Sequence, residues 1–130
     1  MSQENVEIVR RAWEFEMYGR TGAGDPLADF APDFVMNPVE EEPSHGRAAI
    51  RDNFRRFEAA WETLEVTAEE FIDAGERVFV SAYFRGTGRA SGVPVDARLY
   101  EVYTLRDRMI VRVDEFTHRK AALEAAGLGE

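Results

Sequence analysis

The sequence predicts an α+β domain in which a curved, antiparallel or mixed sheet wraps around N-terminal helices. Two observations predict this class. Apolar residues recur at helical spacing in the first half of the chain, and strand-like alternation replaces that period from residue 64 onwards. Helices followed by a run of strands favour helices packed on one face of the sheet. A sheet that curls around helices forms a cone, and the open end of a cone is a pocket.

Helical periodicity and capping signals predict four helices. The first covers about residues 3–18, a short second helix covers 26–30, a third runs from 47 to 61, and the last covers 119–126 and ends at Gly127. The apolar stripes of the first and third helices consist of Val6, Val9, Trp13 and Met17, and of Ile50, Phe54, Phe57 and Trp61.

The second half of the chain is typical of a meander of long strands. Apolar and polar residues alternate along each strand, and clusters of Gly, Asp and Pro separate them. A shorter strand at 33–36 precedes the third helix and ends at Asn37-Pro38. The long strands are expected at 64–72, 77–88, 93–105 and 109–116.

Length and composition limit the class of protein. The chain has 130 residues, of which 45% are hydrophobic, so we expect one domain over residues 1–130 with a core of its own. It contains no apolar run of about 18 residues and no apolar leader, which predicts a cytoplasmic protein without a membrane segment. The formal net charge of -9 would repel a phosphate backbone, which disfavours nucleic-acid binding. There is no cysteine, and neither histidine belongs to a ligand-spaced pair, so no metal site is indicated.

Two acidic residues on the last two strands form the first candidate site. If Asp107-Arg108 is a two-residue hairpin loop, Arg106 pairs with Met109 and Glu101 lies opposite Asp114. Opposed side chains share a face of the sheet, with Cβ atoms about 4.5–5.5 Å apart. In a pocket wall, repulsion and desolvation would make one of the two carboxyl groups bind its proton more tightly, as acid–base catalysis requires.

A structural role for the same acids is the competing interpretation. Arg98 and Arg112 are close enough in the predicted register to neutralise the two carboxylates as salt bridges. A slipped register or a β-bulge would separate the acids altogether. Both interpretations remain open on the sequence.

Several segments in the same order resemble a known family. They are MSQENVEIVRRAW, HGRAAIRDNF, EEFIDAGERVFV, YTLRDRMIVRVDEF and ALEAAGL. Together they are similar to small SnoaL-like proteins of bacteria in the nuclear transport factor 2-like superfamily, which includes ketosteroid isomerases, limonene epoxide hydrolase and polyketide cyclases. The resemblance implies a cone-shaped, cystatin-like α+β barrel and a homodimer formed through the sheet.

The resemblance also argues against two of the family's reactions. Asn37 stands where ketosteroid isomerases have their catalytic Asp, and an amide cannot abstract a proton. Trp13 falls near the isomerase's phenolic donor and Glu101 near its acidic donor. Asp114 is similar in place to the last-strand Asp of limonene epoxide hydrolase and of the cyclases, but the hydrolase's other Asp and its Arg fall near Phe84 and Ala82.

The sequence leaves three functions open. An isomerase- or cyclase-like enzyme would use Asp114 as base, with Glu101 or Asn37 orienting a small hydrophobic, ring-bearing carbonyl compound. A binding protein would hold the same ligand without turnover, and an assembly module would use the fold only for dimerisation. Asn37 fits a local turn as well as a pocket wall. No GxGxxG or P-loop is present, so no cofactor is implied. The residues expected to contact ligand are Trp13, Phe34, Phe54, Trp61, Tyr83, Tyr103, Arg112 and His118.

Overall fold

A computed structural model describes residues 2–13, 28–39, 42–48, 52, 56 and 59–129. Its elements, in chain order, are α1 (Ser2–Trp13), β1 (Phe30–Asn37), β2 (Ser44–His45), β3 (Trp61–Ala74), β4 (Arg77–Gly88), β5 (Pro94–Arg106), β6 (Met109–Phe116) and α2 (Arg119–Ala125). The prediction of an α+β domain with a curved, mixed sheet is confirmed.

The predicted second and third helices are only partly described. Residues 47, 48, 52, 56 and 59 are helical, in agreement with the third helix, but Trp61 begins β3 instead of ending that helix. The short helix predicted at 26–30 is wrong for its described residues, because Ala28 and Asp29 form a turn and Phe30 begins β1. Pairing of Phe30 with Ile110 outweighs the local helix signal. Residues 14–18 of the first predicted helix, and 26–27, lie outside the described residues.

The sheet has the strand order β2-β1-β6-β5-β4-β3. Only β1 and β6 run parallel, so the sheet is mixed. Two tight turns fix the long hairpins. Asp107 and Arg108 have φ of 52° and 66°, the two positive values that a two-residue type I′ turn requires. At the β3–β4 turn, the N–H of Gly75 donates to Asp73 Oδ1 at 2.9 Å, and Gly75 has a φ of 78°.

Each face of the sheet buries its own apolar cluster. The face that packs on α1, here called the inner face, buries Val9, Val80 and Leu105 among others. The face that packs on α2, the outer face, buries Phe79 and Val102 against Ala122 and Ala126 of that helix. Since side chains alternate along a strand, neighbouring residues of β5 and β6 belong to opposite faces.

The end of α2 is a Schellman motif, which sets the position of that helix on the outer face. Gly127 has a φ of 82°, its N–H donates to the carbonyl of Glu124 at 3.0 Å, and the N–H of Leu128 donates to the carbonyl of Leu123 at 2.8 Å. Both leucines pack against the outer cluster. Within the described part of the chain, no helix is both long enough and apolar enough to cross a bilayer.

A close approach at Gly86 provides a test of the packing between β3 and β4. A Cβ at this position would lie 2.6 Å from the carbonyl oxygen of Thr63 and 2.8 Å from a ring carbon of Trp61. We expect Gly86→Ala to lower the free energy of unfolding by about 1–3 kcal/mol, because backbone and a large ring must both shift. Urea unfolding followed by circular dichroism measures the change.

Gly88→Ala is the matched control on the same strand. Its added methyl group would meet the Ser91 hydroxyl oxygen at 2.6 Å, and that small side chain can rotate away. An equal loss of stability in both variants would contradict the packing described at Gly86.

Candidate functional site

The acidic residue opposite Glu101 is Glu115. The hairpin begins in the predicted register, with Arg106 opposite Met109 and Leu105 opposite Ile110. The next pair is Thr104 with Arg112, so Val111 is an extra residue on β6 and forms a β-bulge. Every later pair is displaced by one residue, and the predicted pairing of Glu101 with Asp114 is therefore wrong.

The bulge also decides which face each acid occupies. Asp114 pairs with Val102, whose side chain belongs to the outer cluster, whereas Tyr103 and its partner Val113 belong to the inner one. Glu101 and Glu115, one pair further, share the inner face with them. Asp114 lies on the outer face, and the predicted approach of Asp114 to Glu101 does not occur.

Asp114 is held in a polar network on that outer face. Arg112 Nε donates to both of its carboxylate oxygens, at 3.0 and 2.9 Å, and Asn37 Nδ2 donates to Oδ1 at 2.9 Å. The hydrogen bond from Arg112 to Asp114 is also the main reason why the pKa of the Arg112 guanidinium is raised. Arg112 therefore neutralises Asp114, as the salt-bridge alternative described for that acid, and Asn37 joins the same network. Arg98 instead pairs with Glu69, at 2.8 Å.

Glu101 is a buried acid on the inner face. Only 9% of its surface is exposed, and its Oε1 accepts a hydrogen bond of 2.8 Å from the Tyr103 hydroxyl. Desolvation raises the pKa of Glu101 well above its ordinary value, the negative charge of Glu115 and hydrogen bonding with Glu115 raise it further, and the Tyr103 hydrogen bond opposes them. A carboxyl group in this setting holds its proton to a higher pH than an exposed glutamate does.

Tyr103 and Trp13 complete the polar part of the inner face. Burial raises the pKa of the Tyr103 phenol well above 10, with a further contribution from the charge of Glu101. The nearby indole N–H of Trp13 opposes that rise, although it makes no hydrogen bond of good geometry with the hydroxyl. Trp13 is 5% exposed. Among the described residues, no acceptor forms a hydrogen bond with its Nε1–H. A buried donor of this kind favours an acceptor oxygen that the described side chains do not supply.

Glu115 links this group to the segment after β1. The N–H of Val39 approaches Glu115 Oε1 at 3.4 Å, so the carboxyl group of Glu115 lies between Glu101 and the backbone that follows Asn37-Pro38. Chemically, the site combines an acid with a raised pKa, a second carboxyl group opposite it, and two further N–H or O–H groups. Among the residues that the structure describes, no cluster of three or more His, Cys, Asp or Glu is placed to bind a metal ion.

The aromatic residues expected to contact ligand are dispersed. Phe34 is 1% exposed and packs edge-on against Phe30, with ring centroids 5.1 Å apart, so it is a core residue. Trp61 packs edge-on against Phe84 at 5.9 Å, at the start of β3. Phe54 lies outside the described residues.

Two other expected ligand contacts lie away from the inner face. Tyr83 pairs with Arg98 across β4 and β5 on the outer face, where the guanidinium lies 5.1 Å from the ring centroid. His118 is exposed at the N-cap of α2 and makes no side-chain capping bond. The expectation that they contact the same ligand as Trp13 and Tyr103 does not fit this geometry, because period-two alternation directs Tyr83 to the opposite face.

Glu115 is the residue that the sequence reasoning missed, although a signal for it exists. Uninterrupted alternation from Ile110 would direct Arg112 and Asp114 inward and Val113 outward. Burying an arginine while exposing a valine on one strand is unfavourable, so a one-residue irregularity between Ile110 and Val113 is the better solution. That irregularity turns Glu115 inward.

Solved structures of several proteins share this fold. A protein described as a SnoaL-like polyketide cyclase, from Jannaschia sp. CCS1, is 25% identical with a TM-score of 0.76, over 98% of this chain and 94% of that chain. A hypothetical protein with a ketosteroid isomerase-like fold, from Catenulispora acidiphila and in complex with trimethylamine, is 24% identical with a TM-score of 0.71, over 94% and 93%. An NTF2-like protein of unknown function from Burkholderia pseudomallei is 20% identical with a TM-score of 0.74, over 93% and 95%.

The molecule therefore has the same α+β fold as these NTF2-like and ketosteroid isomerase-like structures. The sequence profile of the SnoaL-like domain matches residues 9–113. The chain therefore belongs to the SnoaL-like family, which confirms the resemblance seen in the sequence. No curated protein matches the sequence.

The buried acid predicts a specific dependence of stability on pH. The folded protein holds the Glu101 proton to a higher pH than the unfolded chain does, so stability falls as pH rises from about 4.5 towards the raised pKa. We expect Glu101→Gln to remove this decline. The free energy of unfolding of Glu101→Gln should exceed that of the parent protein, and the difference should grow with pH. For one proton the growth is at most about 1.4 kcal/mol per pH unit. Urea unfolding between pH 4 and pH 9 measures the difference.

Glu62→Gln serves as the reference for this experiment, because it removes one carboxylate from an exposed position on β3. The Glu101 effect is judged after subtracting the effect of this surface substitution. Parallel stability curves for Glu101→Gln and Glu62→Gln would contradict a protonated, buried Glu101.

Proposed function

We propose that this SnoaL-like protein binds a small hydrophobic carbonyl compound against the inner face of its sheet and transfers protons on it, with Glu101 and Glu115 as the acid–base pair. The main support is the pairing of a buried Glu101, whose pKa is raised, with a second carboxyl group directly opposite. Two facing carboxyl groups, one of which has a raised pKa, suit general acid and general base roles.

The proposed step is an enolisation. Glu115 accepts a proton from the carbon next to the carbonyl group, the electrons of that C–H bond form a carbon–carbon double bond, and the carbonyl oxygen accepts a proton from Glu101. Returning a proton to a different carbon gives an isomer, and attack of the enol on a second carbonyl group gives a cyclised product. The sequence predicts Asp114 as the base, but Arg112 and Asn37 hold that carboxylate on the outer face.

Trp13 supports a ligand that carries an oxygen acceptor. Its indole N–H is buried near the Tyr103 hydroxyl and meets no described acceptor, so a carbonyl or enol oxygen would satisfy it. The ring itself offers an apolar surface to a ring-bearing ligand. A protein that only binds such a molecule would use the same contacts, and this is the alternative that the experiment below separates.

A homodimer formed through the sheet is the second part of the proposal. The helix α2 covers one end of the outer face, and the opposite end of the sheet carries the exposed side chains of Val93, which precedes β5, and of Val95, at 53% and 38%. A groove of about 760 Å³ beside them is lined by Glu65, Arg85 and Asp96 among others. Apolar residues flanked by both signs of charge favour contact with a second copy of the same surface.

Hydrogen–deuterium exchange tests the proton transfer. With 1-tetralone as probe in D₂O, we expect the parent protein to accelerate exchange at the carbon next to the carbonyl group, as measured by proton NMR. Glu101→Gln and Glu115→Gln should each lower the accelerated rate by about 10²–10⁴-fold, because each removes one of the two proton-transfer groups. Asp114→Asn, the same change one residue away on the outer face, should keep most of the rate.

Binding is read separately from the ¹⁵N–¹H signal of the Trp13 indole, assigned by its loss in Trp13→Phe. A shift of that signal with 1-tetralone, without accelerated exchange, would support the binding protein and overturn the enzyme. Exchange that is lost in Asp114→Asn but kept in Glu115→Gln would return the base to Asp114. No shift and no exchange would contradict this class of ligand.

Dimerisation is tested with Val95→Asp, which places a charge in the proposed contact. We expect the mass in solution, measured by light scattering after gel filtration, to fall from dimer to monomer, because an unpaired carboxylate would be buried. Ala121→Asp on the exposed side of α2 is the control and should remain dimeric. A monomeric parent protein would refute the dimer.

A further inference from the structure

The Tyr103 hydroxyl donates its hydrogen bond to Glu101. Both side chains lie on the inner face of β5, two residues apart, and the O–H donates to Glu101 Oε1 at 2.8 Å. Tyr103 is 7% exposed and Glu101 is 9% exposed, so water does not compete freely for this bond. A phenol ring has few rotatable bonds and is packed in the inner cluster, whereas a glutamate side chain has three.

We propose that Tyr103 is a positioning residue, whose hydroxyl fixes the Glu101 carboxyl group so that its second oxygen, Oε2, is the one that carries the transferred proton. The inference rests on the proposed role of Glu101 in proton transfer, and it replaces the sequence-based expectation that Tyr103 contacts the ligand. One oxygen held by Tyr103 leaves the other in a single orientation, and proton transfer depends steeply on such alignment.

The groups around Glu101 and Glu115 determine the direction in which each substitution shifts the Glu101 titration. The Tyr103 hydrogen bond favours the carboxylate form of Glu101, whereas burial and Glu115 favour the protonated form. The backbone N–H of Val39 approaches Glu115 from the segment after β1, and Trp13 approaches Tyr103 from α1. Removing the phenol O–H and removing the Glu115 charge must therefore move the titration of Glu101 in opposite directions.

The titration is measured without any substrate, from the carboxyl ¹³C signals of protein labelled with [5-¹³C]glutamate. The Glu101 signal is assigned by its loss in Glu101→Gln. We expect Tyr103→Phe to move the Glu101 midpoint to higher pH and Glu115→Gln to move it to lower pH. Tyr100→Phe, the same change at a residue of the outer cluster on the same strand, should leave the midpoint unmoved.

Kinetics with 1-tetralone separate positioning from ligand contact. In Tyr103→Phe we expect kcat for exchange to fall by about 10–100-fold with little change in KM. A raised KM with an unchanged kcat would mean that Tyr103 contacts the ligand, and would overturn the inference.

Two further outcomes are informative. If Tyr103→Phe does not fold, 3-fluorotyrosine at position 103 is the second variant. Its stronger O–H donor should move the Glu101 midpoint to lower pH. If the Glu101 midpoint does not move in either variant, the inference is overturned, even where the parent protein accelerates exchange. If the midpoint shifts as expected but the parent protein does not accelerate exchange, the inference stands and only the proposed enzyme is refuted.

Discussion

The one-residue bulge at Val111 determines the chemistry of both faces of the sheet. A strand has a side-chain period of two, so one extra residue exchanges the inward and outward sets for everything beyond it. Ile110 and Val113 can then both face α1, as the hydrophobic core requires. Asp114 turns outward and Glu115 turns inward as a direct consequence. The position of the acids is therefore set by how the core is packed.

The carboxyl groups on the two faces of the sheet have different partners. On the outer face, Asp114, Glu69 and Glu70 each meet an arginine, with N–O distances of 2.9, 2.8 and 2.6 Å. Such partly exposed ion pairs each contribute little to stability, although each neutralises one carboxylate of a chain with a net charge of -9. On the inner face, Glu101 meets a phenol hydroxyl and another acid instead. The inner arrangement raises the pKa of Glu101, whereas the outer arrangement raises the pKa of the arginines.

Most of the fold follows from the sequence because it depends on local periods and turns, although the helix predicted at 26–30 does not form at its described residues. The Asp107-Arg108 turn and the alternation along β4 follow from residue types within a few positions of each other. The site depends on one irregularity, and strict alternation from the same turn gave the wrong partner for Glu101. Burial and like charge raise the pKa of Glu101 opposite Glu115 by the same physics that was expected to act opposite Asp114. Tyr83 and His118 were chosen by residue type, which does not specify a face.

The inner pair is unfavourable for folding, and this is the strongest reason to regard it as functional. Burying a carboxyl group opposite another carboxyl group destabilises the folded state as pH rises, and a glutamine of nearly equal shape would avoid that penalty. Packing of the core explains why residue 115 faces inward, but it does not explain why residues 101 and 115 are both acidic. Departures of this kind from local rules concentrate at functional sites, where stability is lost in exchange for chemistry. A tyrosine that restrains one of the two acids belongs to the same arrangement, since an acid that only filled space would not need a fixed orientation.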